Sequence, residues 1–275
     1  MPLIPLDRRD DPRLDVYRGV RDPELLRSGG RFIAEGRLVV RRLLASDRFA
    51  AESVLVTPAA LAGLTDALEP HRDRLPVYVV ALGTLRSLSG FNLHRGCLAV
   101  GVRPAAAPWT TVLPSAPGPA LVVALEGLAN ADNVGGSFRN AQAFGADAVL
   151  LDAACCDPLY RKAIRTSMGA SLVVPYARLE GRLTTLLRDA GLAVVALTPD
   201  EQASPVREAS ALFRSRQRVA LLVGNEGRGL RPDTLAEADL RVRIPMTSGA
   251  DSLNAAAALA IGLYVCCEAR RTGGW

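Results

Sequence analysis

Short apolar runs dominate the second half of the chain. Residues 121–125, 148–151, 172–174, 192–197 and 219–223 are each continuous rather than alternating, and helix-length segments separate most of them. Strands buried on both faces of a parallel sheet read this way, because helices cover both faces and leave no polar side. Helices are predicted at 134–144, 159–168, 179–190 and from 253 to about 270, the last with Asp251 and Ser252 as caps. The first half is plainer. Residues 32–44 mix glycine, arginine and apolar residues with a helical period, and 53–57, 77–80 and 97–100 read as short strands.

Between the halves, residues 104–119 carry five prolines and break both periodicities. They divide the chain into a small αβ domain at 1–103, a Pro/Ala-rich linker at 104–119 and a larger α/β domain at 120–275. A total of 275 residues, 49% of them hydrophobic, is enough to fill both cores. No apolar run reaches the ~18 residues of a membrane span and no signal-like start is present, so the expectation is no membrane partner and a cytoplasmic protein.

Charge and cysteine usage narrow the chemistry. The net charge is +5, and every basic residue is Arg except Lys162. Sixteen of the arginines lie in residues 1–103 against twelve carboxylates. Guanidinium groups suit phosphate, although a codon bias toward Arg and Ala accounts for the same excess. Cys97, Cys155, Cys156, Cys266 and Cys267 have no C-x-x-C spacing, and the histidines are His71 and His94 alone. A metal site is not expected, the cysteines read as reduced core residues, and histidine catalysis in the second half is excluded.

Three polar, glycine-bearing blocks interrupt the apolar second half: Asn133-Val-Gly135-Gly-Ser-Phe-Arg139, Gly224-Asn225-Glu226-Gly227-Arg228-Gly229-Leu230, and Ile244-Pro245-Met246 leading to Ser252-Leu253-Asn254. Each is read as sitting where a short apolar strand ends, and ligands in open α/β sheets bind at strand ends. A dinucleotide site fails on the sequence. No G-x-G-x-x-G follows the first strand of this half, and Glu226 sits where a pyrophosphate loop would avoid negative charge.

In this order the blocks resemble the three motifs of the SPOUT superfamily, specifically its SpoU/TrmH-like RNA 2′-O-ribose methyltransferases. Phe144-Gly145 extends the first motif, and Pro158-x-Tyr160-x-Lys162-x-x-Arg165-x-Ser167-Met168-Gly169-Ala170 is similar to the family's linking segment. More loosely, Phe32-Ile33-Ala34-Glu35-Gly36 and Leu93-His94-Arg95-Gly96-Cys97-Leu98-Ala99 resemble the ribosomal-protein-L30-like (L30e-like) substrate-binding domain often fused to it.

The resemblance implies a parallel-sheet α/β-knot catalytic domain with a deep trefoil knot. It also implies S-adenosyl-L-methionine as cofactor, an RNA substrate (rRNA favoured over tRNA) and a homodimer whose active site takes residues from both subunits. Carried over motif by motif, Gly224, Ile244, Met246 and Leu253 would hold the cofactor, with Thr198 as a further wall. Arg139 would lie nearest the reaction, Asn133 would position Arg139 or the ribose, and Glu226, Ser252 and Asn254 would complete the polar wall. Bland roles stay open: Asn133 as a helix N-cap, Glu226 as a loop anchor, Ser252 as the cap of the last helix. Lys162 and Arg165, at i and i+3, fit either an RNA contact or a solvated face. Two other functions remain open at this point, a catalytically silent RNA-binding protein of the same fold and a base-directed RNA methyltransferase.

Overall fold

The computed structural model describes residues 3–19, 21–89, 96–247, 249 and 252–272. His94 with its Leu93-to-Arg95 neighbours, and the proposed cap Asp251, lie outside the described residues. The chain forms two compact units. One comprises Met1–Ala106 together with Leu159–Val173, and the other Ala107–Pro158 together with Val174–Trp275.

The first unit is built on a five-stranded mixed sheet. Its strands are β1 (Leu3–Pro5), β2 (Arg31–Glu35), β3 (Ala50–Val56), β4 (Val77–Val79) and β5 (Cys97–Val102), in the order β1-β4-β3-β5-β2. β1 and β3 run parallel to β4, while β5 pairs antiparallel with β3 and β2. The predicted helical stretch 32–44 is in fact strand β2 followed by helix Arg37–Leu44. Gly36, at φ 91°, makes the break, since a left-handed backbone ends a strand cheaply only at glycine. The Leu159–Val173 segment packs on the outer strand β2 through helix Arg161–Thr166, where Ala163 and Ile164 are buried. Its Arg161 backbone N–H donates to Asp22 at 2.8 Å. Gly169 lies so close to Arg42 that a Cβ would stand 3.1 Å from its Cδ.

The second unit holds a seven-stranded sheet of β6 (Ala120–Leu125), β7 (Ala148–Asp152), β8 (Tyr176–Leu179), β9 (Ala193–Leu197), β10 (Ser204–Pro205), β11 (Arg218–Val223) and β12 (Leu240–Arg243). The order is β10-β12-β9-β11-β6-β7-β8, and every pairing is parallel. The α/β parallel-sheet class expected from the apolar runs is what the chain adopts. One run differs: Ala170–Leu172 is a 3-10 turn, and the strand comes later, at β8. Its sequence Tyr-Ala-Arg-Leu has a half-exposed pattern suited to the end of a sheet, so it shows no continuous apolar signal. Helix Ala131–Ala143 follows β6 and packs against the long C-terminal helix Ala255–Thr272. That helix also crosses β11, with Gly262 against Leu221 and Leu197, where a Cβ would come within 2.9 Å of the Leu221 side chain. Trp109, Val112 and Leu113 of the proline-rich stretch pack on this unit's core.

Candidate functional site

Strand order reverses at the β6–β11 pair: the chain goes from β6 outward to β7 and β8 on one side, and β9, β11 and β12 lie on the other. A crevice opens at the C-terminal edge of such a point, because successive loops leave in opposite directions. There β11 runs into the loop 224–230, which closes on itself. The Asn225 N–H donates to the Gly229 carbonyl at 3.1 Å and the Gly229 N–H returns the bond at 2.9 Å. The Asn225 side chain fixes both ends, accepting from the N–H groups of Gly227 and Arg228 and donating to the Gly127 carbonyl at 2.8 Å. A Cβ on Gly224 would stand 2.3 Å from the Leu230 backbone nitrogen, so the loop closes only over glycine.

From this loop a single chain of hydrogen bonds joins all three motifs. Asn254 Nδ2 donates to Asn133 Oδ1 at 2.6 Å, and Asn133 Nδ2 donates to Glu226 Oε1 at 2.5 Å. Asn254 Oδ1 accepts from the Ala256 and Ala257 N–H groups, at 3.0 and 3.2 Å. Asn254, rather than Ser252, therefore serves the first orphan amides of the C-terminal helix. Likewise the cap of the first-motif helix is Asn130, whose side chain accepts from the Asp132 N–H. Asn133 is buried inside that helix, which leaves its amide free to face the other two motifs.

Arg139 stands apart from this chain. It is exposed, with no hydrogen bond or ion pair among the described residues. Six residues after Asn133 it projects about 120° round the helix. Asn133 makes its bonds to Glu226 and Asn254, and among the described residues no hydrogen bond joins it to Arg139.

Beside the hydrogen-bonded chain lies a cavity of about 500 Å³, within the range of small-molecule sites. Every residue expected to hold a cofactor lines it: Gly224, Ile244, Leu253, Thr198 and Met246. Glu226 and Ser252 line it too, and Leu197, Val223, Leu230 and Leu235 give it apolar walls. Arg228 of the second motif lines it as well, and Asp200 joins the lining from outside the three motifs. Glu126, which carries no motif signal, directly follows β6 and is almost wholly buried. It accepts from the Arg231 N–H at 2.8 Å and the Thr234 hydroxyl at 2.7 Å, and pairs with the Arg231 guanidinium at 2.7 Å. Glu126 thus pins the chain leaving the 224–230 loop. Its signal was an acid directly after six apolar residues, Ala-Leu-Val-Val-Ala-Leu.

The remaining residues singled out in the sequence fall outside this cavity. Lys162 and Arg165 are exposed on the segment that packs with the first unit. Cys97, Cys155 and Cys266 are buried free thiols, and burial pushes Cys266 up to about 12 and Cys155 further still. Among the described residues no group of three His, Cys, Asp or Glu could hold a metal, and no helix is long and apolar enough to cross a membrane.

Comparison with known proteins agrees with this geometry. Residues 120–264 match the SpoU rRNA Methylase family, a span containing all three motifs. An uncharacterized tRNA/rRNA methyltransferase of Mycobacterium tuberculosis is 42% identical over 96% of this chain and 90% of its own. The crystal structure of an RNA 2′-O ribose methyltransferase superposes with a TM-score of 0.77 at 29% identity, covering 98% of this chain and 100% of that one. The SpoU methyltransferase AviRb from Streptomyces viridochromogenes superposes at 0.75 with 25% identity over 96% of this chain and 99% of its own, and has also been solved in complex with the cofactor AdoMet. The chain belongs to the SpoU rRNA methylase family, and with it to the RNA methyltransferases.

Proposed function

We propose that the protein methylates a ribose 2′-hydroxyl of structured RNA, ribosomal RNA in preference to transfer RNA, using S-adenosyl-L-methionine. The observation that carries this reading is the Asn254–Asn133–Glu226 chain on the rim of a cavity lined by Gly224, Ile244 and Leu253. The cavity fits the cofactor: apolar walls suit an adenine and a methionine chain, while Glu226 and Asp200 suit its positive charges. When bound, S-adenosyl-L-methionine supplies a methyl group made electrophilic by a sulfonium.

The protein's task is alignment and management of one proton. Glycine at 224 lets a ligand approach the backbone, and Thr198, Met246 and Leu253 close the cavity around it. Asn133 and Asn254 hold Glu226 at the rim, and Ser252 adds a hydroxyl to the same lining. The guanidinium of Arg139 is assigned the cationic role: it orients the target phosphate and stabilises the alkoxide that develops as the 2′-hydroxyl proton passes to water or a nearby acceptor. The exposed position of Arg139 leaves its guanidinium available to RNA.

The active assembly is read as a homodimer in which a deep trefoil knot forms the cofactor cradle and both subunits contribute to each site. On the C-terminal helix Ala257, Ile261 and Tyr264 are exposed at i, i+4 and i+7, an apolar stripe suited to a second copy. Residues 1–103 are assigned as the L30e-like substrate-binding domain, 104–119 as the linker and 120–275 as the catalytic domain.

The test is transfer of labelled methyl from S-adenosyl-L-methionine to ribosomal and transfer RNA fractions, followed by digestion to nucleosides. Label on the ribose of one fraction, lost in Arg139→Ala, is the expected result. Label on a base would replace the ribose assignment with base methylation. Cofactor-independent RNA binding with no label would make the protein a silent binder.

A further inference from the structure

A second concave site lies within the first unit, remote in sequence from all three motifs. It occupies about 460 Å³ where helix Arg37–Leu44 ends, β3 begins and β5 finishes. Three arginines line it, Arg48, Arg74 and Arg103, with His71 beside them and Asp47 as the single carboxylate.

Two of the guanidinium groups are held by specific contacts. Ser46 Oγ accepts from the N–H groups of Arg48 and Phe49, both at 3.2 Å, which fixes the turn that presents them. Phe49 is buried edge-on against Phe32, and the Arg48 guanidinium carbon lies 5.1 Å from the Phe49 ring centroid. A cation at that distance from an aromatic face is attracted to it. On the other wall, the Leu44 carbonyl accepts a hydrogen bond from His71 Nε2 at 3.0 Å, so this nitrogen carries the proton. In the neutral ring Nδ1 is then an acceptor, and Arg74 donates to it at 3.3 Å. The imidazole thereby props one exposed guanidinium at the mouth of the cavity.

Resting on the reading of the protein as an RNA methyltransferase, we propose that this cavity is a backbone-phosphate site for the RNA substrate. Planar donor forks match phosphate oxygens, and an excess of cations over one carboxylate favours a polyanion. Contacts of this kind position an RNA without reading its bases. The site would therefore contribute affinity and register, leaving the choice of nucleotide to other parts of the protein.

Filter binding of deproteinised total ribosomal RNA, repeated across a salt series, tests the assignment. Arg74→Glu is expected to weaken binding by about tenfold and to flatten the slope of log affinity against log salt by about one. Arg74→Lys is expected to keep most of the slope. Arg72→Glu is the control, because Arg72 is paired with Glu69 and does not line the cavity. Cofactor binding by Arg74→Glu, read separately by calorimetry, is expected to match that of the native chain. If native protein binds and methylates RNA while Arg74→Glu has an unchanged slope, or one no different from that of Arg72→Glu, the phosphate site is overturned and the methyltransferase reading stands. If native protein binds no RNA, both fall.

Discussion

Asn133 shows how much one side chain can settle. Its amide donates to Glu226 and accepts from Asn254, so the carboxamide has one orientation and no alternative. Replacing it with Asp would set two acceptors face to face at Glu226, a harsher change than the loss of one bond. Asn133→Asp is expected to cost about 2 kcal/mol, on the order of the penalty for an unsatisfied buried group next to a charge. In a chain of this size that lowers the melting temperature by roughly 4–8 °C, with weaker cofactor binding. Scanning calorimetry checks it, and a variant as stable as Asn133→Ala would refute the orientation argument.

The cysteines give a second prediction at this scale. Cys266 is raised from 9.0 to about 12 in the fold, so the native state holds its proton more tightly than the unfolded chain. The stability this brings is complete below pH 9 and fades as pH rises from there toward 12. At pH 8 iodoacetamide should leave Cys155 and Cys266 unmodified in native protein and label both in urea, as peptide mass spectrometry would show. Labelling of native Cys266 at pH 8 would contradict its burial.

Among the elements, the contact of the first-motif helix with the C-terminal helix is the most exacting. A Cβ at Gly136 would stand 2.9 Å from the Ala256 Cβ, and Asn140 donates to the Ala256 carbonyl at 2.6 Å. Asn133 and Asn254 meet at the same junction, so wedging it open separates two motifs. Gly136→Val is expected to destabilise the fold by about 1–3 kcal/mol, and Ala256→Gly in the same chain should recover part of that. Urea unfolding of the single and double variants measures the coupling; purely additive effects would place the two residues out of contact.

Elements buried on both faces were legible in the sequence. β6, β7, β9 and β11 are continuous apolar runs because packing leaves them no polar face. β8 and β12 were not legible, since Tyr-Ala-Arg-Leu and Leu-Arg-Val-Arg retain exposed positions that break the run. The site was half legible for a related reason. Glycines and motif order announced the lining of the cavity, but which polar groups touch depends on helix rotation. Asn133, Glu226 and Asn254 come together across 93 and 121 residues, and no local signal distinguished them from Arg139, which faces away.

For the whole molecule, the Leu159–Val173 segment matters most. It is flanked in sequence by the first two motifs, yet it is part of the first compact unit, with Ile164 buried there. Removing residues 1–103 at the proline-rich boundary would strip that segment of its packing partner. The truncated chain is therefore expected to show exposed apolar surface by dye binding and a lower melting temperature; a compact, equally stable truncation would mean the segment folds without the first unit. The apolar stripe on the C-terminal helix leads to a complementary expectation. Ile261→Arg with Tyr264→Glu should shift the protein to monomers in sedimentation experiments and abolish methyl transfer, whereas an unaltered assembly would place the dimer contact elsewhere.

The loop over Gly224 and the amide bridge from Asn254 can form only after the parallel strands beneath them are in register. Such distant pairings pay their loop-closure entropy before any contact rewards it, so they close late. A cofactor that binds only the finished cavity would then act as a latch on folding itself. At a hundred times its dissociation constant it would add about 2.7 kcal/mol to a fold that is otherwise marginal. In a cell, the supply of methyl donor would set how much of this protein survives as well as how fast it works.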